Sequence, residues 1–263
     1  VTQSAWWGTL YDDLLADMLL ERADPGQTAQ TIEFLEGVLQ VAPGQRVFDQ
    51  CCGIGSLAVP MARRGYDVVG VDQAARYVER ASEAAADAGT DPAASDAGGR
   101  ARFYAADAGQ FATEEPCDGG FNWWTSFGYS PDDRENLQML LRARDSLRPG
   151  ARFALDTMNL AGVLRGFQRD WVVRRSTPAG EVVLVRESRV DLEAGMMRKV
   201  WTYFVPGGET VVRRSSVRLY LPHALLGLFE EAGFDELALY GSTAGDPLDL
   251  DSPRCIAVGR RRG

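Results

Sequence analysis

The segment VFDQCCGIGSLA at residues 47–58 constrains the fold more than any other stretch of the chain. A buried strand type ends in Asp49, a tight turn carries Gly53 and Gly55, and a helix begins at once. This order lets backbone N–H groups and a helix N-terminus approach a bound nucleoside closely. The turn alone is a weak signal, and the strands downstream of it give it force. Val68-Val69-Gly70-Val71-Asp72 reads as a second strand whose terminal acid lies 23 residues after Asp49, and an alanine-rich helix succeeds it over 74–88. Further strands are expected near 102–106, 118–123 and 151–156, with a helix over 131–147. Strands alternating with helices imply βαβ units and a parallel sheet covered on both faces. An acid ending the second strand, Asp72, is placed for ribose hydroxyls, and one ending the third, Asp107, can accept from an exocyclic adenine amine.

The flanks read differently. Residues 1–41 form two helical stretches divided by Ala23-Asp24-Pro25-Gly26, the second with Ile32, Leu35, Val38 and Leu39 at helical spacing. After Asn159 the chain turns β-branched and aromatic, with turn chemistry at 177–180, 193–195 and 206–208, which predicts an antiparallel sheet of three or four strands. Arginines at 186, 189, 198, 213, 214 and 218 alternate with apolar residues there, suggesting one wet face, on which Lys199 also reads as solvated. The α/β rhythm resumes at Leu221-Pro222-His223 with a helix to Ala232 and strands near 235–240 and 254–258. Residues 89–100 read as a small-residue loop. The resulting division is a helical cap (1–41), an α/β core (42–160), an inserted antiparallel lid (161–220) and a return to the core (221–263).

Composition narrows the chemistry. Asp and Glu total 37 against 28 for Lys and Arg, a net charge of −9, which argues against nucleic acid as a principal partner. One histidine, His223, and one lysine, Lys199, leave no His-rich metal site and no Schiff-base lysine elsewhere. The four cysteines, at 51, 52, 117 and 255, lack metal-ligand spacing, so no metal is expected and a reducing, cytoplasmic setting is the default. No apolar run approaches the roughly 20 residues of a membrane span, so no membrane contact is expected, and a homo-oligomer stays open.

The series Asp49-x-x-x-Gly53-x-Gly55, Val69-Gly70-Val71-Asp72 and Ala106-Asp107-Ala108, continued by Asp118-Gly119-Gly120-Phe121-Asn122 and Leu147-Arg148-Pro149-Gly150, resembles class I S-adenosylmethionine-dependent methyltransferases. The likeness covers residues 45–160 and, through Glu231-Ala232-Gly233-Phe234, the tail. It implies an α/β, Rossmann-like seven-stranded sheet with an N-terminal helical cap and an inserted antiparallel β lid. It implies S-adenosyl-L-methionine as cofactor, with its ribose at Asp72, its adenine at Asp107 and the Ala108 backbone, and its methionine part near Gly53, Gly55 and Asn122. Asp49, Cys51, Gln73, Trp123, Trp7 and Tyr11 complete the implied donor contacts. One departure stands out: the family usually has glycine where this chain has Cys51. A dinucleotide site fits less well, because the third glycine of a GxGxxG series is missing after Gly55.

The acceptor is read from ring density. FNWWTSFGYS at 121–130 lies where the fourth strand empties toward the reaction centre, and with Trp6, Trp7 and Tyr11 it gathers large rings whose faces favour a sulfonium or an amine cation. Tyr11 and Tyr129 are the candidate catalytic residues, as hydroxyls that orient a nucleophile. Trp6, Trp124, Phe127, Tyr129, Asn159, Arg165 and Tyr203 are the candidate substrate contacts. Arg165 and Arg169 could meet a substrate carboxylate or phosphate. The cap and lid resemble the small-molecule N-methyltransferases of glycine and of amino-sugar and lincosamide antibiotic pathways. With no histidine base in the motifs, an amine acceptor is favoured over a hydroxyl, which would need a placed base or a metal. O- or C-methylation of a small natural product, and a non-catalytic S-adenosylmethionine-binding module, are the alternatives.

Overall fold

A computed structural model describes residues 6–20, 24–90, 99–178 and 180–263. Most of the small-residue loop expected at 89–100 lies outside these residues, as do Ala23 and Ala179 of two expected turns. The chain opens with α1 (Trp7–Leu10), α2 (Asp13–Leu15) and a π-helical turn (Ala16–Leu20). This stretch is not the single helix its pattern suggests. Asp12 is extended, and its carboxylate accepts from the Leu15 N–H, restarting the helix. Helix α3 (Pro25–Leu39) is capped by Asp24, carries Pro25 in its first turn, and ends where Gln40 turns left-handed at φ 57°.

The core strands are β1 (Arg46–Gln50), β2 (Asp67–Asp72), β3 (Arg100–Ala105), β4 (Cys117–Asn122) and β5 (Leu147–Met158). Between them run α4 (Ala58–Arg63), α5 (Ala75–Asp87) and α6 (Asp133–Asp145), and α7 (Leu160–Arg165) succeeds β5. The lid consists of β6 (Asp170–Thr177), β7 (Gly180–Asp191), β8 (Met196–Phe204) and β9 (Thr210–Arg218), paired antiparallel in that order. Helix α8 (Pro222–Ala232), β10 (Phe234–Tyr240) and β11 (Arg254–Arg261) return to the core. Its seven-stranded sheet runs β3-β2-β1-β4-β5-β11-β10, parallel except for β11, which lies antiparallel between β5 and β10.

Side-chain alternation divides the core between the two faces of this sheet. Val47, Phe121 and Ile256 pack against α3 and α4 on one face, while Phe48, Phe153 and Ala257 pack against α6 and α8 on the other. A third cluster joins the lid to the cap, with Val182, Leu184, Trp201 and Tyr203 over Leu10, Leu15 and Met18. Polar clamps hold the same interface. Arg175 donates to the carbonyls of Asp17 and Met18, Arg213 pairs with Asp12 at 3.2 Å, and Tyr77 of α5 donates to the Asp12 carbonyl.

The lid departs from the expected wet face. Arg189, Arg198 and Arg214 are exposed, but Arg186, Arg213 and Lys199 sit half-buried on the opposite, inward row. The alternation itself holds, yet period-2 patterning leaves open which row turns inward.

At Gly55 the backbone has φ +79°, and an added Cβ would meet Ala81, Val59 and Phe103 at 3.2–3.3 Å. Gly53, at φ +56°, faces open space. Gly55→Ala is expected to destabilise the protein by about 2 kcal/mol through crowding and backbone strain, and Gly53→Ala by about half as much. Denaturant melts of the two variants check the order.

Candidate active site

The C-terminal ends of β1, β2 and β4 open into a cavity of about 500 Å³, within the range of small-molecule sites. Three backbone features shape its floor. Cys51, Gly53 and Gly55 all take positive φ, which folds the chain after β1 back over the end of β2. The Cys52 N–H donates to the Val71 carbonyl, tying the turn to β2. Asp72 then accepts from Gly53 N–H at 3.0 Å with one oxygen and from Ala74 N–H at 2.9 Å with the other. One carboxylate thus joins the glycine turn to the entry of α5. Burial raises its pKa, and the two N–H donors work against that rise.

Asp107, at the end of β3, accepts from Gly109 N–H at 2.7 Å, so the turn that presents the Ala108 backbone is fixed by its own acid. Asp49 is 3% exposed beneath the turn, and burial together with the nearby Asp72 pushes its carboxyl well up. Cys51 lines the cavity, where burial and then the carboxylates of Asp72 and Asp49 hold its thiol well above the ordinary range. At neutral pH it is a neutral thiol.

The opposite wall is aromatic. Trp7, Trp123, Trp124, Tyr11, Tyr77 and Tyr129 face the cavity. The Tyr11 and Tyr129 rings stack at 6.1 Å between centroids, their hydroxyls are hydrogen-bonded, and Trp6 lies 4.9 Å from the Tyr129 ring. Burial, and after it the neighbouring Tyr129, raises the Tyr11 pKa, and burial likewise raises that of Tyr129. Both stay neutral phenols across the physiological range.

The comparisons with known proteins complete this picture. Residues 47–150 match the family model described as a methyltransferase domain. The CcbJ methyltransferase of Streptomyces caelestis superposes with a TM-score of 0.77 at 20% identity, covering 96% of this chain and 98% of that one. The sugar N-methyltransferase KedS8 of a Streptoalloteichus species superposes with a TM-score of 0.69 at 16% identity, covering 92% and 89%. These two likenesses concern the fold. Residues 47–150 are a methyltransferase domain, on the Rossmann-like fold of these methyltransferases.

S-adenosylmethionine is the donor of this methyltransferase class, and the cavity fits it. Gly53 leaves open the space that a side chain would fill, and Asn122 Oδ1, one residue before the cavity-lining Trp123, is buried without a hydrogen-bond partner.

Among curated relatives, a 23S rRNA (uracil-C(5))-methyltransferase, RlmD of Alkalilimnicola ehrlichii, is 43% identical over 86 residues. That match takes in 32% of this chain and 18% of the relative, so the chain spans under one fifth of the length of that protein. It corrects one expectation. The acidic balance argues against nucleic acid, yet relatives matched over part of this domain act on RNA. Net charge describes the surface of one chain and does not decide what a methyltransferase domain serves.

The structure brings together, around this cavity, Trp7, Tyr11, Cys51, Gly53, Asp72, Gln73, Asp107, Ala108, Trp123, Trp124 and Tyr129. Four expected substrate contacts are placed elsewhere. Phe127 is buried against Tyr220. Asn159 caps α7 and gives its amide to the Asp249 and Ser252 carbonyls. Arg165 pairs at 2.6 Å with the exposed Asp251. Tyr203 is fully buried in the lid–cap cluster. Each is occupied by packing or pairing that sequence position alone does not show. Arg169, named beside Arg165, is exposed near Asp170 and Glu187. His223 sits in the first turn of α8, away from the cavity lining.

Two positioning groups escape the sequence reading. Gln50 is fully buried and donates to the Ala108 and Met139 carbonyls while accepting from Asn122, tying the third-strand loop to β1 and β4. Asp156, on β5, is buried and takes Arg254 through both oxygens at 2.6 Å. It also accepts from the Trp124 N–H, and Arg254 reaches Thr125 Oγ1. Trp124 and Thr125 both have left-handed backbones, at φ 58° and 64°, so this ion pair holds the strained turn that presents Trp124. An Asp near a strand end is the available signal, but its partner lies 98 residues away.

Two outcomes are expected. Asp156→Asn leaves Arg254 without its charge partner and costs about 3 kcal/mol in denaturant melts. At Cys51, whose φ is 65°, Cys51→Val destabilises by about 1–2 kcal/mol because a β-branched residue resists that conformation, whereas Cys51→Gly leaves stability unchanged or raised.

Proposed function

We propose that this chain transfers a methyl group from S-adenosylmethionine to the nitrogen of a small-molecule amine, in the manner of an enzyme of natural-product metabolism. The observation that carries the reading is the Tyr11–Tyr129 hydroxyl pair, made of two neutral phenols inside a wall of indoles. Neutral phenols orient a nucleophile through hydrogen bonds but take a proton poorly. They suit an acceptor that arrives with its own lone pair, which an amine does once deprotonated. The sugar N-methyltransferase fold of KedS8 supports the same reading.

In this reading the donor supplies an electrophilic methyl group: the amine lone pair forms the N–C bond as the S–C bond breaks, the bonding pair leaves with sulfur, and the ammonium proton passes to water. Asp72 and Asp107 hold the nucleoside end, and the turn at Gly53 receives the methionine part. Tyr11 and Tyr129 fix the direction of the amine, and Trp7, Trp123 and Trp124 shield it from water and attract cationic character through their faces.

Methyl-labelled S-adenosylmethionine, offered with a panel of amines, phenols, carboxylic acids and an rRNA fragment, tests the assignment. Label on amine nitrogen is the expected result; label only on oxygen, carbon or RNA contradicts it. With an amine acceptor in hand, Tyr129→Phe is expected to lower kcat by roughly 10-fold to 100-fold at unchanged donor affinity. Asp72→Asn is expected to weaken donor binding about 10-fold by calorimetry, the scale of one or two buried hydrogen bonds.

A further inference from the structure

The inward face of the lid carries two cross-strand rows. Trp171, Arg186, Trp201 and Arg213 lie side by side across β6 to β9, and Ser188, Lys199 and Ser215 form the next row. Arg213 is neutralised by Asp12. Arg186 and Lys199 have no carboxylate within ion-pair distance among the described residues, and Arg186 Nε is buried without a hydrogen-bond partner. The Arg186 guanidinium lies between two rings, 4.5 Å from the Trp171 centroid and 5.5 Å from that of Trp201, and the Lys199 ammonium lies 5.8 Å from Trp201.

Two half-buried cations on adjacent rows, with no counter-ion, repel each other and lose hydration. Burial, then Arg186, then Arg254 pull the Lys199 ammonium down to about 8. Arg254 is the residue that braces Thr125 beside Trp124, so its effect on Lys199 puts the ammonium near the loop that walls the cavity, while the two lid cations stand outside the cavity lining itself. Arg254 has its own partner in Asp156, which leaves the charge of the Arg186–Lys199 pair unmatched. The Trp171 and Trp201 indoles hold the Arg186 head, the Trp201 indole lies beside Lys199, and Ser188 and Ser215 flank Lys199 across the strands. A small anion is the missing component, since a carboxylate or a phosphate would neutralise both heads at once.

We propose that Arg186 and Lys199 form the docking site for an anionic group, carboxylate or phosphate, carried by the methyl acceptor. The inference rests on the amine-methyltransferase reading and narrows its substrate to an amine that bears an acid group at a distance from the reacting nitrogen. It also moves substrate-anion recognition from Arg165, which is already paired at the surface, to the lid.

The test exploits a property of the sequence: Lys199 is the only lysine in the chain. Protein labelled with ε-13C-lysine therefore gives one side-chain signal, read at neutral pH with S-adenosylhomocysteine present. Inorganic phosphate and acetate are titrated separately. A saturable shift of the Lys199 signal at millimolar anion, weakened at least 10-fold by Arg186→Met, supports the proposal; phosphate alone marks a phosphoryl group and acetate alone a carboxylate. No shift with either anion in the unaltered protein overturns it. Arg186→Gln, which keeps much of the length and polarity of the side chain, serves if Arg186→Met fails to fold. The readout needs no turnover, so its failure is distinct from that of the amine reading: amines methylated without any anion response remove this inference and leave the other intact.

Discussion

The carboxylate of Asp72 is the interaction on which the rest of the site depends. It accepts from the turn after β1 and from the entry of α5 with separate oxygens, so one side chain sets both the glycine turn and the helix after β2. The turn needs that support because Cys51, Gly53 and Gly55 occupy backbone conformations that extended or helical chain does not supply. Cys51 has a side chain at a position where glycine would be free of strain, and it holds a thiol against the Asn122 amide and the Ser126 carbonyl. These contacts are long, 3.7 and 3.8 Å, and weak by the standards of sulfur donors and acceptors. The backbone fixed by Asp72 and the β1–β2 pairing, rather than the sulfur, therefore keeps the turn in place.

A second layer of constraint positions the rings. Arg218, at the end of β9, takes Asp133 through both carboxylate oxygens, Tyr220 donates to the same acid, and Asn136 donates to the Tyr220 hydroxyl and the Ser130 carbonyl. Lid, α6 and the loop carrying Tyr129 are thereby one hydrogen-bonded unit. Although partial burial works upward, the bonds from Arg218 and Tyr220 keep the Asp133 carboxyl below its ordinary range. The depressed pKa adds stability at neutral pH, which is lost as pH falls through the folded value. On the other side, Arg175 and Arg213 clamp the cap that carries Tyr11. The Tyr11–Tyr129 pair, 118 residues apart in sequence, meets because the lid holds both of its carriers.

Legibility in the sequence tracks the range of the interactions. The glycine turn, the strand-end acids and the order of the core elements are set by neighbours in the chain, and they are readable there. The two tyrosines stand out by ring density, while their meeting is a tertiary fact. Gln50, Asp156 and Arg254 escape a linear reading because each acts through partners on other strands. For the lid, alternation separates two rows without showing which turns inward, so Lys199 reads as solvated; Arg165, on α7, reads as an anion contact because its partner Asp251 lies far along the chain. Asn159 and Tyr203 look available by position and prove to be a helix cap and a core residue. The acidic composition, a global property, does not decide for or against nucleic acid, since relatives matched over part of the domain act on RNA.

The most direct test of the account is a crystal structure of the protein with S-adenosylhomocysteine. The account predicts ribose hydroxyls on Asp72, the adenine amine at Asp107 beside the Ala108 backbone, and the thioether sulfur directed at the Tyr11–Tyr129 hydroxyls. A nucleoside bound away from Asp72, or a sulfur directed away from the two tyrosines, would contradict it.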